Sequence, residues 1–135
     1  MTQKRQDRHL LAERSLTGEI IGAYYECYNT LGYGFLESVY RRALATELRS
    51  RGHCCVEEGP AEVLFKGVVV GVVRFDLLVD DRVIVEIKAG QSLGPTDERQ
   101  LLNYLRATNI DVGLLLHFGP APAVLRCVNQ KFRAV

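Results

Sequence analysis

Several features that are typical of common protein classes are missing from this sequence of 135 residues. No apolar run approaches the roughly 18 residues of a membrane-spanning helix. The first residues lack the apolar stretch of a secretory signal, so a cytoplasmic location is the expectation. The formal net charge is +1, which gives no overall positive surface for nucleic acid. Any such binding must depend on a local basic patch, or on a metal ion that offsets acidic side chains.

The cysteines and histidines give no sign of a zinc site or a redox pair. None of the four cysteines has metal-ligand spacing, and the adjacent Cys54 and Cys55 do not form a CxxC pair. Free cysteines in a cytoplasmic protein usually pack as small apolar side chains, and this interpretation is favoured here. The three histidines are scattered along the chain, which does not suggest zinc binding.

What the sequence does contain is enough apolar material for one domain over residues 1–135. Apolar residues make up 47% of the chain and charged residues 24%, as in ordinary soluble domains. Helical and extended patterns, with a loose extension expected over residues 1–9, predict an α/β domain with a mixed sheet in the order α-α-β-β-β-α-β-β. The predicted segments are helices over 10–31 and 35–51, extended runs over 54–58, 61–65, 68–73, 75–79 and 83–87, a helix over 97–108, and strands over 111–118 and 124–128. A bulge or bend is expected at Gly71.

The stretch from Arg74 to Lys88, RFDLLVDDRVIVEIK, carries charged residues inside two apolar runs. The runs flank a polar turn and predict a β-hairpin. If the loop is residues 80–82, Asp76 lies opposite Glu86 with Cβ atoms about 5 Å apart. Like charges that close need a proton or a cation between them, and a divalent metal with oxygen ligands fits this requirement.

Two alternatives to the metal site remain open from the hairpin alone. Asp76 and Lys88 could form a half-exposed ion pair on an edge strand, with Glu86 in solvent. A two-residue turn would also place Asp76 and Glu86 one step out of line.

Three further polar residues lie on the predicted helices. Glu37, taken alone, would be an ordinary helical ion-pair partner of Arg41, four residues later. Gln100 and Tyr104 are also four residues apart and share one face of the third helix.

With these residues placed, the chain resembles the GxxExxY proteins, a branch of the PD-(D/E)XK nuclease superfamily. The naming motif stands here as Gly34-Phe35-Leu36-Glu37-Ser38-Val39-Tyr40. Asp76 and the tripeptide Glu86-Ile87-Lys88 match the acidic pair and lysine of the superfamily, and Gln100–Tyr104 is similar to the QxxxY helix motif of RecB-type nucleases. The position three residues before Gln100, often histidine in GxxExxY proteins, is Asp97 here.

The resemblance implies a restriction-endonuclease-like core and a role for each matching residue. Asp76, Glu86 and the backbone carbonyl of Ile87 would hold Mg²⁺ or Mn²⁺, with Glu37 reaching the ion directly or through water. Lys88 would orient or deprotonate the attacking water, or stabilise charge on the phosphate, and Gln100 would position it. Tyr104 is expected to serve packing.

Two function classes follow from the resemblance. One is a divalent-metal-dependent nuclease acting on nucleic acid, with DNA as the expected substrate and a homodimer as one expected arrangement. Arg41, Arg42 and Arg99 are its candidate phosphate contacts. The other is a binding or regulatory protein that keeps the nuclease fold without cleavage.

Overall fold

A five-stranded sheet runs through the centre of the protein, as seen in a computed structural model that describes residues 3–129 of the chain and the side chains of residues 13–129. The strands stand in sequence order, and all neighbours are antiparallel except the parallel pair β3 and β4. The elements are α1 (Gln3–Leu31), α2 (Glu37–Ser50), β1 (Cys55–Phe65), β2 (Val68–Val79), β3 (Val83–Ala89), α3 (Pro95–Thr108), β4 (Val112–Phe118) and β5 (Pro122–Val128). This is the predicted element order and the restriction-endonuclease-like mixed sheet.

The two faces of the sheet pack against different helices because side chains alternate along each strand. Val85 of β3 lies in the apolar cluster that contains α1 and α2. Its neighbour Ile84 lies in the second cluster, with α3. Glu86 and Lys88 share the alternation of Ile84 and therefore face α3. This arrangement decides which helix can supply partners to the charged residues of β3.

Helix α3 packs closely on the sheet because β4 carries a glycine beneath it. A Cβ atom at Gly113 would lie 2.7 Å from Cδ1 of Leu101 on α3. A Cβ atom this close would force Leu101 to shift, so glycine at this position allows Leu101 to sit directly against the strand.

The central hairpin has the register expected from the three-residue loop. Val79 pairs with Val83, which leaves residues 80–82 between the strands. Asp80 and Asp81 both have positive φ angles, 52° and 55°. Aspartate tolerates this conformation better than most residues, so the sequence of the turn suits its geometry.

Two other predictions can be compared with the structure: the bulge at Gly71 and the start of the first helix. The bulge expected at Gly71 is confirmed, since Val63 pairs with Gly71 and Leu64 with Val69, which leaves Val70 without a cross-strand partner. The predicted start of the first helix at Leu10 is wrong.

Helix α1 begins at Gln3, not at Leu10. Residues 3–9 contain no apolar side chain, so no amphipathic pattern marks their helical conformation. The loose extension predicted for residues 1–9 is therefore wrong for residues 3–9, which are helical. Residues 1 and 2 lie outside the described part of the chain.

No helix within residues 3–129 is long and apolar enough to cross a membrane.

Candidate active site

Asp76 and Glu86 occupy the point where β2 and β3 separate. Cross-strand pairing ends at Leu77 and Val85, and continuing this register places Asp76 opposite Glu86. Here carboxylate oxygens accept hydrogen bonds from the backbone in place of carbonyl oxygens of the opposite strand. The Asp76 N–H donates to Oε1 of Glu86 over 3.3 Å, and the Ile87 N–H donates to Oδ2 of Asp76 over 2.7 Å. The two carboxylates are thereby fixed in the gap between the strands.

The electrostatics of this pair favour a positive charge between the two carboxylates. Glu86 is 5% exposed, and burial raises its pKa to about 8, with repulsion from Asp76 adding to the shift. Near neutral pH the Glu86 carboxyl group therefore favours its protonated form when no cation lies beside it. Two carboxyl groups held together in this gap are a donor set that suits a hard divalent cation.

Glu37 approaches the end of β3 from α2. It lies in the first turn of this helix, and its Oε2 accepts a hydrogen bond from the Ala89 N–H over 3.1 Å. Among the side chains of residues 13–129, no three His, Cys, Asp or Glu residues come together in a metal-binding group. The structure therefore brings Asp76 and Glu86 together, and leaves Glu37 outside their pair.

The Gly34–Tyr40 motif explains how Glu37 reaches this position. Gly34 has a φ of 111°, which strains any other residue, and it turns the chain into α2. The Tyr40 hydroxyl donates to the Gly32 carbonyl over 2.7 Å and accepts from the Phe35 N–H over 3.1 Å. The Tyr40 ring stacks on Phe118 of β4, with centroids 3.9 Å apart. The tyrosine thus ties the loop before Glu37 to the sheet.

Lys88 faces α3, two residues beyond Glu86. Its Nζ lies 3.5 Å from Oε1 of Gln100 and 3.8 Å from Oδ1 of Asp97. The other oxygen of Asp97 accepts from the Gly94 N–H over 2.9 Å, which caps the helix. Asp97, which stands at the position that is often histidine in GxxExxY proteins, thus contacts both Lys88 and the start of α3.

Tyr104 is more than a packing residue. Its hydroxyl accepts a 2.7 Å hydrogen bond from Nε2 of Gln100. Burial raises the pKa of Tyr104, and the charge of Glu86 adds to the shift. A polar chain therefore runs from Lys88 through Gln100 to Tyr104. The four-residue spacing of Gln100 and Tyr104 was the sequence signal that could have shown it.

Two of the three predicted phosphate contacts already have acidic partners. Arg41 lies 3.3 Å from both Glu57 and Glu58 of β1, and Arg42 lies 3.6 Å from Glu57. The Arg42 side chain is still 72% exposed, and contact of both arginines with phosphate stays a prediction. Sequence reasoning missed these acidic partners because Glu57 is distant in the chain.

Arg99 lies beside the polar chain, on a groove of about 910 Å³ between α3 and the β1–β2 hairpin. The groove is lined by apolar residues of the hairpin and polar residues of α3, among them Val63, Val73, Arg99, Gln100, Asn103 and Tyr104. Gln100, which contacts Lys88, forms part of its wall.

Comparison with known proteins gives two findings. The model of the PD-(D/E)XK nuclease superfamily matches residues 14–127. The crystal structure of SSO0001 superposes with a TM-score of 0.55 at 19% identity, covering 68% of this chain and 49% of that chain. At this identity the likeness shows the fold alone, and the matched part is about half the length of that protein. No curated protein matches the sequence.

Proposed function

The chain belongs to the PD-(D/E)XK nuclease superfamily, and on that premise we propose that it is a divalent-metal-dependent nuclease that hydrolyses phosphodiester bonds of nucleic acid. One observation carries this proposal. Asp76 and Glu86 are seated in the gap between β2 and β3 by reciprocal hydrogen bonds, with Lys88 next on the same face. Within the superfamily, the Gly34–Tyr40 motif supports the proposal that the chain belongs to the GxxExxY branch.

The acid pair is the proposed metal site. Asp76, Glu86 and the carbonyl of Ile87 would hold Mg²⁺ or Mn²⁺, and Glu37 would reach it through water from the Ala89 backbone. When bound, the ion would neutralise phosphate charge and lower the pKa of a bound water. The raised pKa of Glu86 supports this assignment, because a bound cation would offset the cost of burying the Glu86 charge and its repulsion from Asp76.

Lys88 is the proposed catalytic residue of the protein itself. It would orient or deprotonate the attacking water, or stabilise the negative charge that develops on the phosphate. Gln100 accepts from the ammonium group and would hold it in place, while Tyr104 fixes the amide of Gln100. Asp97 lies 3.8 Å from the ammonium group of Lys88 and would help to hold it in place.

The groove along α3 is the proposed path of the substrate. It leads to Gln100 and Tyr104, and Arg99 lines it as a phosphate contact. DNA remains the expected substrate.

A second candidate function is binding without cleavage. The ion pairs of Arg41 and Arg42 with Glu57 favour it, because these arginines would have to leave an acidic partner in order to contact phosphate. A binding protein predicts no metal-dependent cleavage by any variant.

The deciding experiment compares wild type, Lys88→Met and Glu86→Gln on single- and double-stranded substrates with Mn²⁺. Lys88→Met keeps the aliphatic side chain and should lower cleavage by a factor on the order of one hundred or more, with metal affinity close to wild type. Glu86→Gln should lose both. Glu26→Gln, an exposed carboxylate on α1, is the matched control and should cleave normally. Equal cleavage by all four proteins would reveal a contaminant and leave the proposal without support.

A further inference from the structure

The groove between α3 and the β1–β2 hairpin has two walls of opposite chemistry. One wall is α3, and the other is the hairpin, which contributes Val63, Leu64 and Val73. Val73 shares the strand alternation of Phe75, which packs against α3 in the second apolar cluster. Val63 lies on the same face of the sheet, because it pairs with Gly71, two residues before Val73. The hairpin wall of the groove is therefore apolar.

Gly71 makes room at this wall. A Cβ atom added at Gly71 would meet no heavy atom within 4 Å, so the glycine leaves open space beside its cross-strand partner Val63. A flat apolar group fits over the glycine, against Val63 and Val73.

The α3 wall carries positive charge. The charged residues that line the groove are Arg99 and Arg106, and among the described residues of its lining none is acidic. The two arginines are seven residues apart, close to two helical turns, so they lie on one side of α3 and about 10 Å apart along its axis. Asn103 lies between them on that side. In a protein with a net charge of +1, this is the local basic patch that nucleic-acid binding would need.

A single strand of nucleic acid has the same two sides as the groove. Its unpaired bases present flat apolar faces, and its backbone presents phosphates. In a duplex the base faces are stacked inside the helix, and a protein meets phosphates and base edges. A duplex therefore has no apolar face to place against Val63 and Val73. At roughly 3.4 Å per nucleotide, the distance between Arg99 and Arg106 corresponds to about three nucleotides of one strand.

We infer that the groove binds one unpaired strand of nucleic acid, with its bases against Val63 and Val73 and its phosphates along α3. The inference rests on the proposed function and names its substrate class, which is single-stranded nucleic acid. Gln100 joins the two, because it belongs to the groove wall and also contacts Lys88.

Fluorescence anisotropy in EDTA measures binding without cleavage. The probes are a labelled DNA strand of roughly a dozen nucleotides, an RNA strand of the same sequence, and the duplex of that DNA. At least one single strand should bind roughly tenfold more tightly than the duplex, and the tighter strand identifies the preferred sugar. Equal or tighter binding of the duplex, or no binding of either strand at about 100 μM protein, would overturn the inference.

The apolar wall is tested by placing an amide on it. Val73→Asn should raise the dissociation constant of the single strand by roughly fivefold, and Val63→Asn should have the same effect from β1. Val72→Asn is the matched control, because Val72 is next to Val73 on β2 but points to the other face and is 59% exposed. It should bind like wild type. Equal weakening by Val73→Asn and Val72→Asn, with circular dichroism showing both folded, would overturn the placement of the bases.

The basic wall is tested by the dependence of binding on salt. Arg99→Gln should reduce the slope of the logarithm of affinity against the logarithm of salt concentration by about 0.7, the value for one phosphate contact on a single strand. Lys66→Gln removes an exposed positive charge outside the groove and should keep the wild-type slope. Val73→Asn should also keep it, since it removes no charge. An unchanged slope in Arg99→Gln would overturn the placement of the phosphates.

Cleavage assays with Mn²⁺ separate this inference from the proposed function. Single-strand binding that depends on Val73, with no cleavage by wild type, would support the groove and contradict the nuclease. Equal cleavage of single strands and duplexes, with no effect of Val73→Asn, would support the nuclease and contradict the groove.

Discussion

At the scale of single residues, the lysine of the candidate site depends on a chain of contacts. Lys88 contacts Gln100, and Gln100 is held by the hydroxyl of Tyr104. An amide that loses a partner can rotate, and a 3.5 Å contact with the ammonium group has little strength to prevent this. The tyrosine hydroxyl therefore acts on Lys88 through Gln100, as a positioning group.

Replacing Tyr104 with phenylalanine tests this role. The ring remains and the hydroxyl is lost, so cleavage should fall by roughly tenfold, the scale of one hydrogen bond. Metal affinity should stay at the wild-type value, since no metal ligand is altered. Single-turnover kinetics with Mn²⁺ titration separates the two quantities. A loss of metal affinity that matches the loss in rate would contradict the positioning role.

Single residues also show what the sequence could and could not predict. Asp76 and Glu86 were placed correctly because a hairpin fixes its register within a few residues. The partners of Arg41 and Arg42 were not predictable, because Glu57 reaches them only after β1 folds beside α2. Glu37 was assigned to the metal from its motif, but its bond to the Ala89 N–H depends on how α2 meets the end of β3.

At the scale of elements, a charged contact joins the end of α2 to the turn of the central hairpin. Nδ1 of His53 lies 2.6 Å from Oδ2 of Asp80, and the Cys54 N–H donates to Oδ1 of Asp80 over 2.8 Å. The hydrogen bond with Asp80 raises the pKa of His53 and outweighs burial. Burial alone would raise the pKa of Asp80, but the bonds from His53 and Cys54 lower it.

These two shifts predict how stability depends on pH. The contribution of His53 is complete below its unfolded pKa of about 6.5 and is lost as pH rises through its raised folded pKa. The contribution of Asp80 is complete above its unfolded pKa of about 3.9 and is lost as pH falls through its lowered folded value. Both are present together between roughly pH 4 and 6.5.

Asp80→Asn should therefore cost most near pH 5.5, by about 1–3 kcal/mol of unfolding free energy, and less at pH 9. Asparagine tolerates the positive φ at this position, so the turn itself is preserved. Asp81→Asn, in the same turn but exposed, is the control and should show no such pH dependence. Urea unfolding from pH 5 to 9 measures the difference, and a cost that is constant with pH would contradict the His53–Asp80 assignment.

The exposed end of the β1–β2 hairpin shows a limit of prediction from local sequence patterns. Residues 61–73 read as ordinary strands with many apolar residues, which usually indicates burial. Their exposure depends on β3 being shorter than β2, because β3 pairs with the end of β2 alone. Strand lengths relative to neighbours belong to the assembled sheet and leave no local pattern.

At the scale of the whole molecule, the acid pair links metal binding to folding. The unfolded chain does not hold Asp76 and Glu86 together, so a metal that binds this pair stabilises the folded state. At one hundred times its dissociation constant, an ion adds about 2.7 kcal/mol to the free energy of unfolding. Mg²⁺ or Mn²⁺ should accordingly raise the melting temperature of wild type.

Asp76→Asn should abolish that increase. Without metal it should be as stable as wild type or more stable, because it removes the repulsion between two crowded carboxylates. Glu26→Gln should keep the full increase. Differential scanning calorimetry with and without metal measures each change, and a wild-type protein that shows no shift at about 10 mM metal would rule out the ligand roles of Asp76 and Glu86.

The single parallel strand pair has a consequence for the order in which the molecule assembles. Strands β2 and β3 are joined by a three-residue loop and can meet within microseconds, whereas parallel strands need a crossover such as α3 to meet. Asp76 and Glu86 therefore come together through local contacts, and Gln100 reaches Lys88 only after α3 docks on β4. A chain emerging from the ribosome would form the Asp76–Glu86 pair first and the contact between Gln100 and Lys88 last. For the proposed nuclease, cleavage would thus begin only after synthesis has passed β4 and α3 has docked.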